Sequence, residues 1–232
     1  SDGTIYVGSG YRIYALNPNG ELIWESPQLS NGKWVKSPVL DSEGNIYAVI
    51  QIGSWVSKKY IYALNSQDGS IIWKSLPEKF FTAPSLTSDG LILVGGYMGG
   101  YNYNGLHAID SLDGSHEWYA PIGNIVGSIA AIGQDAIYVG TDSYAFRAIN
   151  KEDGSIKWSF YAQGKFSASP IIDAEGTIYI GSQRGMFYAL NPDGSVKWQA
   201  ELDSAINSSA VIGADGIIYV ASSDGILYAF GE

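Results

Sequence analysis

His107 and His116 are the only imidazoles in the 232 residues, and no cysteine accompanies them. Imidazole is the side chain suited to proton transfer near neutral pH and to holding borderline metal ions. These two show no metal-ligand spacing. They occupy places where other stretches of the chain carry Tyr14, Tyr62 and Tyr188, or Lys157 and Lys197, so both read as structural substitutions. Thiolate chemistry, disulfides and cysteine-held metal are excluded outright. "GGYMGG" (95–100) lacks the following helix and Lys-Ser/Thr of a phosphate loop. "DSEG" and "DAEG" lack the length and the distal glutamate of a calcium loop. The 23 acids fall mostly in turns. No catalytic residue, metal or cofactor is expected.

The aromatic side chains offer a different chemistry. Trp55, Tyr97, Tyr101 and Tyr103, with Trp34, fall in connecting segments beside Asn102 and Asn104. Flat rings next to amides suit stacking on a sugar or contact with a peptide. They also suit packing on one another. Lys33, Lys79 and Lys165 each precede an apolar residue of the set Trp34, Phe80, Ile125, Phe166 and Ile206. That set reads either as an apolar lip with a basic fringe, able to steer an anionic ligand, or as a repeated packing position.

What positions these residues is a repeat. Trp24, Trp73, Trp118, Trp158 and Trp198 close the phrases "NGELIW", "DGSIIW", "DGSHEW", "DGSIKW" and "DGSVKW", at spacings of 49, 45, 40 and 40. Ahead of each lies one strand type ("RIYALN", "YIYALN", "GLHAID", "FRAIN", "MFYALN", and finally "ILYAF"). Before that comes "TIYVGS", "NIYAVI", "LILVGG", "AIYVGT", "TIYIGS" and "IIYVAS", and before that "KSPVLD", "APSLTS", "GSIAAI", "ASPIID" and "SSAVIG". The unit is therefore four short strands, A to D, joined A–B and C–D by Asx-Gly turns that supply the positive φ of a tight hairpin. Four antiparallel strands at a period of about 40 predict an all-β propeller.

One domain over 1–232 is expected, with blades near 1–25, 34–75, 80–120, 125–160, 165–200 and 205–232. Twenty-two strands are countable. The first unit lacks A and the last lacks D, which predicts six blades with a closing segment upstream of Ser1, or an excerpt of an eight-bladed propeller. Both insertions, "QIGSWVSKK" (51–59) and "GYMGGYNYN" (96–104), fall between B and C, and the longest D–A link is 25–36. They are expected as loops on one face, the usual place for function on a rigid scaffold.

"ALNSQDGSIIW" (63–73), "AIDSLDGSHEW" (108–118) and "AINKEDGSIKW" (148–158) resemble the tryptophan-docking motif of quinoprotein-type (PQQ-like) propellers. The resemblance covers the whole chain, with Asn at 65 and 150 where the family often has Asp. It implies that Trp24, Trp73, Trp118, Trp158 and Trp198 dock neighbouring blades and are not a sugar platform. It also implies a non-catalytic binding or scaffolding propeller of the cell envelope or exterior. A propeller lipoprotein that assists outer-membrane barrel assembly is the nearest analogue. Quinoprotein dehydrogenases share the repeat but add cofactor-binding segments, calcium ligands and often adjacent cysteines, none recognisable here. A carbohydrate-binding or carbohydrate-active propeller is the alternative. The formal charge of −10 disfavours nucleic acid and anionic membrane as partners. A protein or glycan partner is expected, and unpaired blade edges allow a homo-oligomer.

Overall fold

Every described B strand carries an unbroken apolar run, "IYV", "IYAV", "LILV" or "IYI". A strand presents alternate side chains to opposite faces, so such a run needs cover on both sides. The structure, a computed structural model, shows how this is met. It describes residues 3–29, 34–52, 58–75, 79–80, 82–97, 104–123 and 128–231, with backbone alone at 34, 52, 58, 79, 80 and 97.

The strands run β1 (Ile5–Ser9), β2 (Arg12–Leu16), β3 (Leu22–Glu25); β4 (Trp34–Val35), β5 (Val39–Leu40), β6 (Asn45–Ile52), β7 (Lys58–Asn65), β8 (Ile71–Lys74); β9 (Lys79–Phe80), β10 (Ser85–Leu86), β11 (Leu91–Tyr97), β12 (Asn104–Asp110), β13 (His116–Ala120); β14 (Ala131–Ile132), β15 (Ile137–Gly140), β16 (Ala145–Ile149), β17 (Ile156–Tyr161); β18 (Ile171–Ile172), β19 (Ile178–Gly181), β20 (Met186–Leu190), β21 (Val196–Glu201); β22 (Val211–Ile212), β23 (Ile218–Ala221) and β24 (Leu227–Phe230). Each group forms one antiparallel meander, giving six sheets. The first and last are β1-β2-β3 and β22-β23-β24, and β4 and β9 add to the second and third. The fold is an all-β propeller. Among the described residues there is no helix, hence none able to cross a membrane.

The chain divides into two compact units, Ser1–Asn102 with His107–Trp118, and Tyr103–Leu106 with Tyr119–Glu232. In the first, Ile46, Ala48 and Ile50 of β6 pack with Ile13 and Leu29, whereas Tyr47 and Val49 pack with Ile92 and Val94. In the second, Ile178 and Ile180 of β19 pack with Tyr138 and Phe146, whereas Tyr179 packs with Ile218 and Val220. One strand thus serves two cores. Leu227 of β24 is 66% exposed where its counterparts Phe146 and Phe187 are fully buried.

The expected loops 51–59 and 96–104 need correction at their ends, while 53–57 and 98–103 lie outside the described residues. Gln51↔Lys59 and Ile52↔Lys58 continue the β6–β7 ladder, and Asn104 belongs to β12. The added residues lengthen the hairpins because their backbone groups find partners by extending a ladder already formed. The preceding D–A links join them: Trp34 pairs Gln51 and Val35 pairs Ile50, while Lys79 pairs Tyr97 and Phe80 pairs Gly96.

Within each unit, neighbouring sheets are held by one device. Trp24 donates Nε1–H to the Ser66 carbonyl at 2.8 Å, Trp73 to Ser111 at 2.9 Å and Trp158 to Pro192 at 2.9 Å. Each acceptor lies in the C–D turn of the following sheet. There Gly69, Gly114 and Gly194 sit under the ring, so close that a Cβ would come within 2.6, 2.9 and 2.8 Å of it. Trp118 is 8% exposed, and Trp198 stacks on Phe230 at 5.4 Å. Trp158→Ala therefore removes both a ring contact and a hydrogen bond. Because the ring is only half-buried, we expect a loss of about 2–4 kcal/mol, at or below the range for core tryptophans, measurable by denaturant unfolding.

A second repeated device ties the A–B turns. Tyr47 donates its hydroxyl to Asp41 Oδ2 at 2.9 Å, and Tyr179 to Asp173 Oδ2 at 2.8 Å. Burial pushes both carboxyls upward, but the hydrogen bonds they accept outweigh it and both fall below the usual range. Burial, then the carboxylate partner, pushes Tyr47 and Tyr179 up to about 12. The depressed Asp groups contribute stability that is present above 3.8 and lost as pH falls through their native values. The raised Tyr groups contribute stability that is lost as pH rises from 10 to about 12. The paired variant Tyr47→Phe/Tyr179→Phe should therefore show a constant drop in Tm between about pH 5 and pH 10, shrinking outside that window, in melts recorded against pH.

Candidate functional site

The A–B turns of the second and fifth sheets and the C–D turns of the second, third and fifth are consumed by these two devices. The other strand ends carry the B–C and D–A connections, and there the backbone is cross-tied. Ile206 N–H donates to the Ser182 carbonyl and Gln183 N–H to the Lys165 carbonyl. Asn207 donates to Ser223 Oγ at 2.9 Å and Gln183 Nε2 to Ser167 Oγ at 2.7 Å.

Of the sequence-derived site residues, Lys33, Trp55, Tyr101 and Tyr103 lie outside the described residues. Trp34, Lys79 and Tyr97 are placed by backbone only, on β4, β9 and β11, and the register brings Lys79 opposite Tyr97. Lys165 is half-buried. The apolar set resolves toward packing where it is described. Phe166 and Ile206 are fully buried, and Phe166 contacts the rings of Phe146, Phe160 and Tyr188. Glycines at the ends of the B strands make room for them, since a Cβ on Gly140 would meet Phe166 Cβ at 2.5 Å and one on Gly181 would meet Ile206 Cγ2 at 2.2 Å.

Basic groups gather on the second sheet at residues the sequence reading passed over. Lys59 is held below the usual lysine range, first by burial and then by the charge of Lys36. Lys74 Nζ stands 3.9 Å over the Tyr60 ring, a cation–π contact.

The sharpest feature is Tyr144, in the B–C turn of the fourth sheet. Its φ is +63°, and among the described residues it is the only non-glycine with positive φ. The same turn position is Gly185 and Gly225 in the next two sheets, at +82° and +87°. Thr141 enforces the turn: its N–H and Oγ1–H both donate to the Ala145 carbonyl, at 2.9 and 2.8 Å. The turn is also tied to the D–A link. Leu202 N–H reaches the Gly185 carbonyl at 2.8 Å, whereas Ala162 N–H reaches the Tyr144 carbonyl at 3.2 Å. A Cβ on Gly185 would lie 2.4 Å from the Leu202 carbonyl oxygen, so the longer bond at Tyr144 is what a side chain there requires. Tyr144 is 52% exposed, and Tyr161, which pairs with the adjacent Ala145, is 68% exposed. A strained residue with an exposed ring is the kind of outlier that marks a binding surface.

His107 and His116 need one correction. His116 lies two residues before Trp118, the place held by Ile71, Ile156 and Val196 relative to their tryptophans, and not the lysine place, which Glu117 takes. Burial, above all, pushes His107 down to about 4.

A family model described as outer membrane protein assembly factor BamB matches residues 1–128, 57–173 and 162–232. The chain belongs to that family. A curated relative, the outer membrane protein assembly factor BamB of Yersinia pestis, is 29% identical over 115 residues, which is 47% of this chain and 27% of the relative. The match thus spans little more than a quarter of that relative's length. Among solved structures, BamB from Moraxella catarrhalis matches 98% of this chain and 81% of its own, with TM-score 0.56 and 15% identity. The computationally designed Ika8 protein matches 99% and 68%, with TM-score 0.77 and 12% identity. BBS1N, solved in complex with ARL6DN, matches 97% and 74%, with TM-score 0.70 and 14% identity. At these identities the structural likeness shows the fold alone.

Because glycine accepts positive φ without the cost that a Cβ brings, Tyr144→Gly is expected to leave stability unchanged or raise it by up to about 1 kcal/mol, measured by denaturant unfolding. A tyrosine kept for packing would instead lose stability on this change.

Proposed function

We propose that this BamB-family chain is a binding scaffold of the cell envelope that engages a polypeptide partner through its B–C and D–A connections. The observation that carries the reading is Tyr144, a residue that is costly for the fold and spends that cost on an exposed ring. Tyr161 at the same end of the β16–β17 hairpin supplies a second ring of low side-chain entropy. Tyrosines of this kind dominate the energetics of protein interfaces. The family description adds support, since an assembly factor acts by holding other chains. Among the described residues, Tyr144, Tyr161 and Lys165 of this surface are side chains suited to binding, and binding is the reading. Lys165, in the D–A link after Tyr161, is proposed to set the charge of this surface; Trp34, Trp55, Tyr97, Tyr101, Tyr103, Lys33 and Lys79 are proposed as separate contact residues on the connections of the second and third sheets.

The test is a photo-crosslinking amino acid placed at Tyr161 or, as control, at exposed Glu152 in the C–D turn of the same sheet. In the producing cell we expect discrete protein adducts at 161 and none at 152, with adduct yield reduced at least fivefold by Tyr144→Gly. Equal labelling at both positions, or no protein adduct at 161 together with saturable binding on a glycan array, would replace this reading with the carbohydrate one.

A further inference from the structure

His107 on β12 and His116 on β13 bring their rings to 5.6 Å between centroids. His107 Nδ1 lies 3.4 Å from His116 Nε2, and His107 Nε2 lies 3.1 Å from the Gly96 carbonyl oxygen. A carbonyl only accepts, so Nε2 carries the proton of the neutral ring and Nδ1 keeps its lone pair, turned toward His116. Ligating histidines are oriented in the same way, with one ring nitrogen donating to a backbone carbonyl and the other offered to the ion.

The separation is informative as well. Two nitrogens bound at about 2.0–2.1 Å to a tetrahedral ion stand about 3.3–3.4 Å apart. Without an ion the same pair is a long hydrogen bond, His116 Nε2–H donating to His107 Nδ1 at 3.4 Å, against about 2.9–3.0 Å for ordinary N–H···O bonds. His107 is 1% exposed, which fixes its ring, whereas His116 is exposed and gives an ion access from solvent. Both residues depart from the repeat in the same sheet: the first replaces Tyr14, Tyr62 and Tyr188, the second Ile71, Ile156 and Val196.

We propose that His107 Nδ1 and His116 Nε2 form a two-histidine site for a borderline divalent ion of the zinc, nickel and copper(II) class, with water completing the coordination. Imidazole pairs favour these ions over magnesium or calcium. Binding places the His116 proton on Nδ1. Among the described residues no group of three His, Cys, Asp or Glu side chains is assembled for a metal, so the site is an exchangeable one and folding does not depend on it.

Calorimetric titration of Zn²⁺ into the intact chain, produced without a polyhistidine tag, should show one saturable site, with no heat from Mg²⁺. His116→Ala should weaken Zn²⁺ binding at least tenfold while the unfolding temperature in chelator stays unchanged. The NMR ring signals of both histidines should shift together. The proposal is overturned by absence of saturable Zn²⁺ binding, by binding that survives His116→Ala, or by a shift confined to the His116 ring.

Discussion

A tryptophan can lie flat on the turn of the next sheet only if the residue beneath it has no side chain. That constraint explains why glycine recurs in the C–D turns, four residues before the tryptophan of its own repeat. Gly69, Gly114 and Gly194 each combine a positive φ with a ring overhead, so two independent requirements select the same residue. The indole N–H then finds the carbonyl of the same turn, which fixes the ring's orientation as well as its depth. Once this contact sets the spacing of neighbouring sheets, B strands such as β6 and β19 are covered on both faces, as their unbroken apolar runs require.

The same contact assigns roles to the two ends of each sheet. The C–D turns of the second, third and fifth sheets are occupied in docking, and the A–B turns of the second and fifth sheets are closed by Asp41 with Tyr47 and by Asp173 with Tyr179. The B–C and D–A connections carry none of these duties and are free to vary. Variation takes two physical forms here. The second and third sheets lengthen a hairpin and recruit the preceding link as an extra strand. The fourth keeps a short turn but places a tyrosine where its neighbours have glycine.

Much of this was legible in the sequence because the signals repeat. The period near 40, the Asx-Gly turns and the tryptophan phase identify the propeller and its strand order without coordinates. The lengthened ladders were not legible, since "QIGSWVSKK" and "GYMGGYNYN" have the glycines and polar groups of loops, and only the pairing of their described ends, 51–52 with 58–59 and 96–97 with the D–A link, shows those ends as strand. Tyr144 was within reach: setting "TDSYAF" against "SQRGMF" and "SSDGIL" puts it on a glycine column. That comparison needs the turns aligned as well as the strands. The histidine contact was hidden for another reason. C and D strands shift register next to the alanine that faces the tryptophan, as at Ala148/Ile149 and Ala189/Leu190, and a simple alternation count misplaces such pairs. Partner identity is not encoded in the framework at all, because a propeller positions its loops without specifying what they hold.

The proposed role is that docked sheets leave their B–C and D–A ends to bind a polypeptide. Hydrogen–deuterium exchange of the intact chain with and without its crosslinked partner tests this most directly. Added protection is expected in the B–C turn 141–145 and the D–A link 162–166, with the C–D turn 150–155 unchanged. Protection at 150–155 instead, or none at either end, would contradict it.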